Sequence, residues 1–306
     1  VPQRKRIVST MADATILSGK PLRDLLFGQA RAVSSRLRQK GIMPKLAVVV
    51  VGNNPASQVY VKAKMAAAAD CGIESTVLRL PERTRQSTLH TRLNALNEDP
   101  SVYGVLLQLP LPKHLNSAEA LEWIHPHKDV DGLTAVNAGK LEIGAPDGLT
   151  PCTPLGVLRL LEAAGVELKG TEVVVVGRSN LVGRPIASLL GQRHATVTTC
   201  HRYTENLAAH IKRADLVVLA AGSPGLVRGA HLKKGAAVID VGITPVDVNG
   251  LRKLLGDAHD DCRGQARLLT PVPGGVGPMT VASLMTNTLD ATCLQNGLPR
   301  PRWKIR

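Results

Sequence analysis

Short apolar runs alternate along the chain with longer stretches whose apolar residues recur at helical spacing. The first run, Lys45 to Val51, lies between helix-like segments at Pro21 to Gln39 and Ala56 to Cys71. A strand near Ser75 to Leu80, a helix around Gln86 to Asn97 and a strand at Gly104 to Gln108 follow. Pro110 and Pro112 end that last strand, because proline has no N–H to give to a sheet. Beyond Cys152 the alternation starts again, with a helix from Thr153 to Gly165, a strand from Thr171 to Gly177 and a helix from Pro185 to Gly191. The strand Ala195 to Cys200, a helix around Glu205 to Arg213, and the strands Leu216 to Ala220 and Ala236 to Asp240 complete it.

Strands separated by helices of this length build βαβ units, which close right-handed into parallel sheets covered on both faces. The predicted class is α/β, with two α/β lobes, the second a Rossmann-like dinucleotide-binding domain, and a cleft between them. The expected first lobe is 11–152 and the second 153–279. A last helix at about 280–296 is expected to pack back on the first lobe, and 1–10 and 297–306 read as basic tails. At 306 residues the chain exceeds what one hydrophobic core usually organises, which supports two lobes.

A formal charge of +14 invites a nucleic-acid or membrane-surface reading, so its distribution matters. Arg4, Lys5 and Arg6 at one end, and Arg300, Arg302, Lys304 and Arg306 at the other, hold half of that excess. Aromatic residues are only 2%, leaving little to stack on bases, so no specific nucleic-acid partner is expected. The apolar runs fall far short of the ~20 residues that cross a bilayer, so no membrane partner is expected either. The 5 cysteines are widely spaced, form no CxxC pair and share no ligand rhythm with the 9 histidines. They read as reduced thiols, no metal site is expected, and the cytoplasm is the expected compartment. A mitochondrial matrix or other organelle is the alternative if the acid-free first ten residues are a transit-peptide remnant.

Several clusters carry possible chemistry. Gly177 ends a buried strand and Gly183 precedes Pro185 in the first turn of a helix whose N-terminal amides can hold a phosphate, although a plain βα turn would look similar. The next strand runs into His201, Arg202, Tyr203 and Thr204, with no carboxylate for a ribose 2′-hydroxyl. Arg178 and Arg202 could clamp a 2′-phosphate or stand as solvated surface charges. Tyr60 and Lys64, at i and i+4, share a helix face with Ala56, Ala63, Ala67 and Ala68, which suggests a poorly hydrated wall around the lysine. Gln108 sits at a strand end, where α/β folds bind ligands or where an amide simply ties a loop. Lys128-Asp129-Val130-Asp131-Gly132 is a turn with two carboxylates, and aspartates often cap turns. Thr270 to Thr280 brings two prolines and three glycines together before its final Pro-Met-Thr.

Six segments in order closely resemble the motif set of the methylenetetrahydrofolate dehydrogenase/cyclohydrolase family. They are Tyr60-Val-x-x-Lys64, Gly104 to Pro112, Lys128 to Gly132, Thr150 to Pro154, Val176 to Pro185 and Thr270 to Thr280. The resemblance covers roughly residues 13 to 292. It implies oxidation of 5,10-methylenetetrahydrofolate to the 5,10-methenyl form with NADP, then hydrolysis to 10-formyltetrahydrofolate, by a homodimer. NAD is the cofactor alternative, and a monofunctional dehydrogenase the functional one. The catalytic set it implies is Lys64, Gln108, Tyr60 and Asp131. Tyr60, Gln108, Asp131, Pro273, Gly274 and Gly275 would hold the folate. Gly177, Arg178, Ser179, Gly183, His201, Arg202, Thr204, Ile243 and Gly277 would hold the dinucleotide. Two features depart from the pattern: the surroundings of Gly256-Asp257-Ala258 are less typical, and His194 stands where NAD-using, metal-recruiting relatives place an aspartate.

Overall fold

The computed structural model of the chain describes residues 13–248 and 251–305. The expected basic segment 1–10 lies outside the described residues. The first part of the chain comprises strand β1 (Thr15–Ile16), α1 (Lys20–Gln39), β2 (Lys45–Val51), α2 (Pro55–Asp70), β3 (Glu74–Leu80), α3 (Gln86–Glu98), β4 (Gly104–Leu107), α4 (Ser117–Glu122) and α5 (Ala135–Glu142). The second part comprises α6 (Cys152–Ala163), β5 (Glu172–Val176), α7 (Gly183–Gln192), β6 (Thr196–Cys200), α8 (Leu207–Arg213), β7 (Leu216–Leu219), β8 (Ala237–Asp240), β9 (Thr244–Val248), β10 (Leu251–Leu255), β11 (Leu268–Leu269) and α9 (Val276–Gln295).

A three-stranded sheet of order β3-β2-β4 and a six-stranded sheet of order β1-β11-β8-β7-β5-β6 are both parallel. In β2, Leu46, Val48 and Val50 pack into one core while Ala47, Val49 and Val51 pack into another. In β5, Val173 and Val175 are likewise separated from Val174 and Val176. Such strands are apolar without a break because both faces are covered. β6 and β7 flank β5 on opposite sides, so chain order reverses at the ends of β5 and β7, the place where open α/β sheets bind ligands.

The structure departs from the sequence expectation in several places. Residues 15–16, expected in the first lobe, add an edge strand to the second lobe's sheet by parallel pairing with β11. The hairpin β9–β10 was not anticipated, because β10 is exposed throughout and carries no inside–outside alternation. The last helix begins at Val276 rather than Thr280, since Pro278 falls in the first turn, where its missing N–H is not needed. Residues 297–305 do not hang free as a basic tail. Leu298, Trp303 and Ile305 pack on the main core, and the Trp303 indole donates to Asp290 Oδ1 at 3.0 Å. Gln29 pairs with the Lys304 backbone through both its amide atoms, each at 2.8 Å. Apolar burial and these bonds outweigh the charge that the segment advertises.

Helix α9 is buried along nearly its whole length and packs on α1, α2 and α6. One continuous core therefore runs from α1 and β2 through α6 and α9 to β5, β7 and β8, joining the lobes. At the start of β4, Val105 pairs with Asp129, so the Lys128–Val130 segment lies alongside the sheet. Gly104 makes this approach feasible, because a Cβ there would meet Val130 Cγ1 at 2.7 Å. Gly104→Ala should overpack this contact and cost about 1–3 kcal/mol. Urea unfolding should show the lowered midpoint, and an unaltered midpoint would contradict the close packing.

Candidate functional site

A cleft of about 650 Å³, counting its open mouth, lies where the two lobes meet. Its lining combines Lys64, Gln108 and Asp131 from the first lobe with Leu181 and Val182, which precede α7 in the second. Gln108 follows β4, and its backbone N–H continues the ladder to Val49 O at 2.9 Å. Its side-chain Nε2 donates to Leu109 O at 2.6 Å, which turns Oε1 toward Lys64, whose Nζ donates to it at 2.9 Å. Residues 44 positions apart are thus joined at the cleft wall.

The alanine stripe around Lys64 is only partly a wall. Ala67 and Ala68 are buried, Ala63 is exposed and Lys64 is half-buried. Helix α2 therefore packs with one narrow edge and leaves its Tyr60 turn outward. Tyr60, at 44% exposure, stands outside the cleft lining.

The two carboxylates of the Lys128–Gly132 turn have different fates. Asp129 is buried, and its Oδ2 accepts from Thr134 N at 2.8 Å and Asn137 Nδ2 at 2.9 Å. Lys128 Nζ donates to the carbonyls of Leu96, Asn97 and Asp99 at 3.1, 2.6 and 2.7 Å, satisfying the end of α3. Burial pulls the Lys128 ammonium below its ordinary value, and Asp99 and Glu98 oppose that pull. Asp131 alone faces the cleft. Loss of solvent pushes its carboxyl above the ordinary value; Lys64 opposes this, Asp129 adds to it and the Cys152 thiol opposes it. Cys152 is buried, its thiol raised well above the usual value by desolvation and then by Asp131, and it donates to Val130 O at 3.3 Å.

On the second lobe the turn after β5 is built for close backbone approach. Gly177 has φ 125°, and a Cβ on it would meet Ala220 O at 2.2 Å; one on Gly183 would meet Gly177 O at 2.1 Å. Ser179 Oγ accepts from Val182 N at 3.2 Å and Gly183 N at 3.4 Å, which shapes the start of α7. Arg178 is exposed beside it. After β6, His201 N donates to Thr204 Oγ1 at 2.8 Å, and Arg202 lies over the Tyr203 ring, 4.6 Å from its centroid. Both arginines stand free of carboxylate neighbours in the sequence between Gly177 and Gly183 and between Cys200 and Thr204. Ile243 is exposed after β8. His201, Arg202, Thr204 and Ile243 do not line the cleft itself.

The glycine segment before α9 also stands off the cleft lining. Pro273 is exposed, Gly274 has φ 106°, and Gly274 O accepts from Gly19 N at 3.0 Å, fastening the segment to the start of α1. Gly275 is packed so that a Cβ would meet Pro271 O at 2.7 Å, whereas Gly277 is exposed. Thr280 does reach the cleft, where its hydroxyl meets that of Thr153 at 2.9 Å.

Two carboxylates missed from sequence order the loops behind the turn. Asp257 is fully buried and accepts from Ala221, Gly222 and Ser223 N–H at 2.7, 3.0 and 2.7 Å. Asp240 accepts from Gly242, Asp257 and Ala258 N–H at 2.9, 3.1 and 2.8 Å. The available signal was the Gly256-Asp257 pair, whose resemblance to the family segment carried no role.

Two family models match the chain, one described as tetrahydrofolate dehydrogenase/cyclohydrolase, catalytic domain, over residues 17–131. The other is described as tetrahydrofolate dehydrogenase/cyclohydrolase, NAD(P)-binding domain, over residues 151–296. The bifunctional protein FolD of Geotalea uraniireducens is 48% identical over 279 residues, covering 91% of this chain and 98% of the relative. A solved bifunctional FolD methylenetetrahydrofolate dehydrogenase/cyclohydrolase from Campylobacter jejuni superposes with a TM-score of 0.89 at 44% identity, covering 93% of this chain and 100% of that one. The Trypanosoma brucei enzyme, solved with NADP cofactor and an inhibitor, gives a TM-score of 0.87 at 41% identity, covering 92% and 98%.

Burial raises the Asp240 carboxyl to about 6; the amides of Ala258 and Asp257 oppose the shift, the Asp257 charge adds to it and the Gly242 amide opposes it. A folded-state value above the unfolded one means that the native state binds the extra proton. Asp240 should therefore lower stability as pH rises from about 4 to about 6, by on the order of 2–3 kcal/mol. Asp240→Asn should flatten that part of the stability profile in denaturant titrations; a wild-type slope retained in the variant would assign it to another group.

Proposed function

The chain belongs to the tetrahydrofolate dehydrogenase/cyclohydrolase family, and from that premise we propose the reaction and the part each residue takes in it. The enzyme oxidises 5,10-methylenetetrahydrofolate to 5,10-methenyltetrahydrofolate with NADP and then hydrolyses the product to 10-formyltetrahydrofolate. The observation that carries this assignment is one cleft in which the Lys64–Gln108 pair and Asp131 face the glycine-framed turn of the second lobe.

The residues present fit a dinucleotide. Neither Gly177 nor Gly183 has room for a Cβ, so bare backbone lies beside the α7 N-terminus, where a pyrophosphate is favoured. Arg178 and Arg202, with no acid between Cys200 and Thr204, suit a 2′-phosphate, with Ser179, His201 and Thr204 shaping the two turns and Ile243 and Gly277 bordering the site. NADP, when bound, supplies the hydride acceptor.

Folate is held from the opposite wall. Asp131 accepts from the adjacent N–H groups of the pterin edge, a pairing that a single carboxylate satisfies. Tyr60, set outward on α2, closes over the substrate, and Pro273 to Gly275 border the reacting end. Fixing both partners in one cleft replaces an encounter with a positioned transfer. Oxidation leaves a methenyl cation, to which water adds at the one-carbon centre. Lys64 relays one proton of the attacking water to the nitrogen that departs as the ring opens, and the remaining hydroxyl proton of the adduct leaves to solvent as the formyl carbonyl forms. Gln108 Oε1 holds the amine in line throughout.

The molecule acts as a homodimer in the cytoplasm. The β9–β10 hairpin presents Leu251, Leu254 and Leu255 at 65%, 40% and 38% exposure, apolar area suited to a second copy. All five cysteines are free and buried, in keeping with a reducing compartment. Among the described residues no helix is long and apolar enough to cross a membrane.

Lys64→Met should reduce hydrolysis of the methenyl substrate by about 100-fold or more, the usual scale for a lost proton-transfer group. NADP affinity, read by fluorescence titration, should stay at the wild-type value; normal hydrolysis in this variant would remove Lys64 from the mechanism. Arg202→Ser should raise the KM for NADP by about 10-fold or more while leaving that for NAD nearly constant, since only the 2′-phosphate loses a charged partner. Parallel rises for both cofactors would place Arg202 elsewhere.

A further inference from the structure

Asn287 lies in the middle of α9 at 2% exposure. Its Nδ2 donates to Val130 O at 2.9 Å and to Thr150 O at 2.8 Å, using both amide hydrogens on two separate segments of the first lobe. The Val130 carbonyl belongs to the same peptide plane as the Asp131 nitrogen. Fixing that oxygen fixes the plane from which the Asp131 side chain departs, because a peptide rotates as a unit. The Thr150 carbonyl precedes Pro151, another residue of the cleft lining. The Cys152 thiol donates to the same Val130 oxygen at 3.3 Å and lies 3.6 Å from Asn287 Nδ2.

The two segments have no slack. A Cβ on Gly132 would meet Leu149 O at 2.6 Å and Pro151 N at 2.7 Å. A second amide ties them one position earlier: Asn137 Nδ2 donates to Asp129 Oδ2 at 2.9 Å, and Asn137 Oδ1 accepts from Leu149 N at 3.1 Å. Asn137 comes from the neighbouring α5, but Asn287 comes from α9. On α9, Thr280 and Leu284 line the cleft and Asn287 follows at i+7 on the same face, so the amide stands directly behind the turn that carries Asp131.

We infer that Asn287 is a positioning residue for folate recognition: through the Val130 peptide it sets the direction in which Asp131 meets the pterin edge. This rests on the reading of Asp131 as the folate carboxylate. The residue touches neither substrate nor cofactor. It gives α9, the helix that starts at the glycine segment beside the nucleotide lobe, control over a binding group in the other lobe.

Asn287→Asp is nearly isosteric but sets a carboxylate against two carbonyl oxygens. Its folate KM should rise about 10- to 100-fold, the scale of a displacement near 1 Å, with the NADP KM within about twofold of wild type. Lowering the pH protonates the introduced carboxyl and restores one donor, so the ratio of variant to wild-type folate KM should fall toward one between about pH 8 and pH 5.5. Thr288→Val, which removes only a bond to Leu284 O within the same helix, serves as the control for loss of α9 stability and should leave folate KM unchanged. Should Asn287→Asp fail to fold, Asn287→Ser, with one donor on a shorter arm, should still raise folate KM several-fold without the pH recovery.

Asp131→Ala separates the two levels of the argument. If it raises folate KM and Asn287→Asp does not, Asn287 is packing only and the inference falls alone. If Asp131→Ala leaves folate KM unchanged, the assignment of Asp131 falls and takes the inference with it. Equal rises in folate and NADP KM for Asn287→Asp, or a ratio that ignores pH, would show general distortion of α9 and overturn the positioning role.

Discussion

The contact between α6 and α9 is the constraint on which the site depends. These helices join the lobes, and Gly156 lets them approach so closely that a Cβ there would meet Met279 Cβ at 2.9 Å. Arg159 is buried in the same interface, donating to Thr286 Oγ1 at 2.9 Å and Ser283 Oγ at 3.3 Å. Burial draws its guanidinium below the usual value, and Asp290 opposes that draw most strongly among its neighbours. A charge in such a place stays only because hydroxyls and a carboxyl surround it, so sliding one helix along the other would strand it without partners. Close packing and this polar register hold the two walls of the cleft at a fixed spacing.

The same frame explains how aspartates of one sequence take different work. Asp129, Asp240 and Asp257 each accept two or three N–H groups and are consumed in fixing loops. Asp131, two residues on from Asp129, differs: it lines the cleft, with Lys64 as the nearby positive charge. A carboxylate becomes available to a ligand where the backbone around it is already satisfied by others. Lys128 follows the opposite logic, with all three of its protons committed to carbonyls at the end of α3.

This explains what the sequence could show. β2, β4, β5, β7 and β8 were legible because burial on both faces writes itself as an unbroken apolar run. β1 and β11 were not, since two residues have no periodicity and their pairing is set by partners far away in the chain. Helices α4 and α5 were passed over for their length, although Asn116 and Thr134 cap them by accepting from Glu119 and Asn137 N–H. Lys64, Gln108 and Asp131 were identified by resemblance of motifs; spacing alone could not join Lys64 to Gln108, and the alanine stripe misjudged which side of α2 is covered. The C-terminal residues misled through charge, because Arg300, Arg302 and Lys304 sit between Leu298, Trp303 and Ile305, whose burial decides the outcome.

Two consecutive reactions in one cleft make unequal demands on its walls. Hydride transfer asks only that two rings be held together, the task proposed for rigid backbone and a carboxylate at the far edge. Hydrolysis asks for a proton carrier beside the same carbon, yet a freely moving ammonium would add positive charge just where the first step creates it. With Lys64 as the proposed proton carrier, the Lys64–Gln108 bond would meet both demands, because Gln108 is itself anchored by Leu109 O and so offers the amine one direction rather than a range. In the proposed reading the order of events needs no moving part, because the first reaction creates the cation that makes the carbon attractive to water.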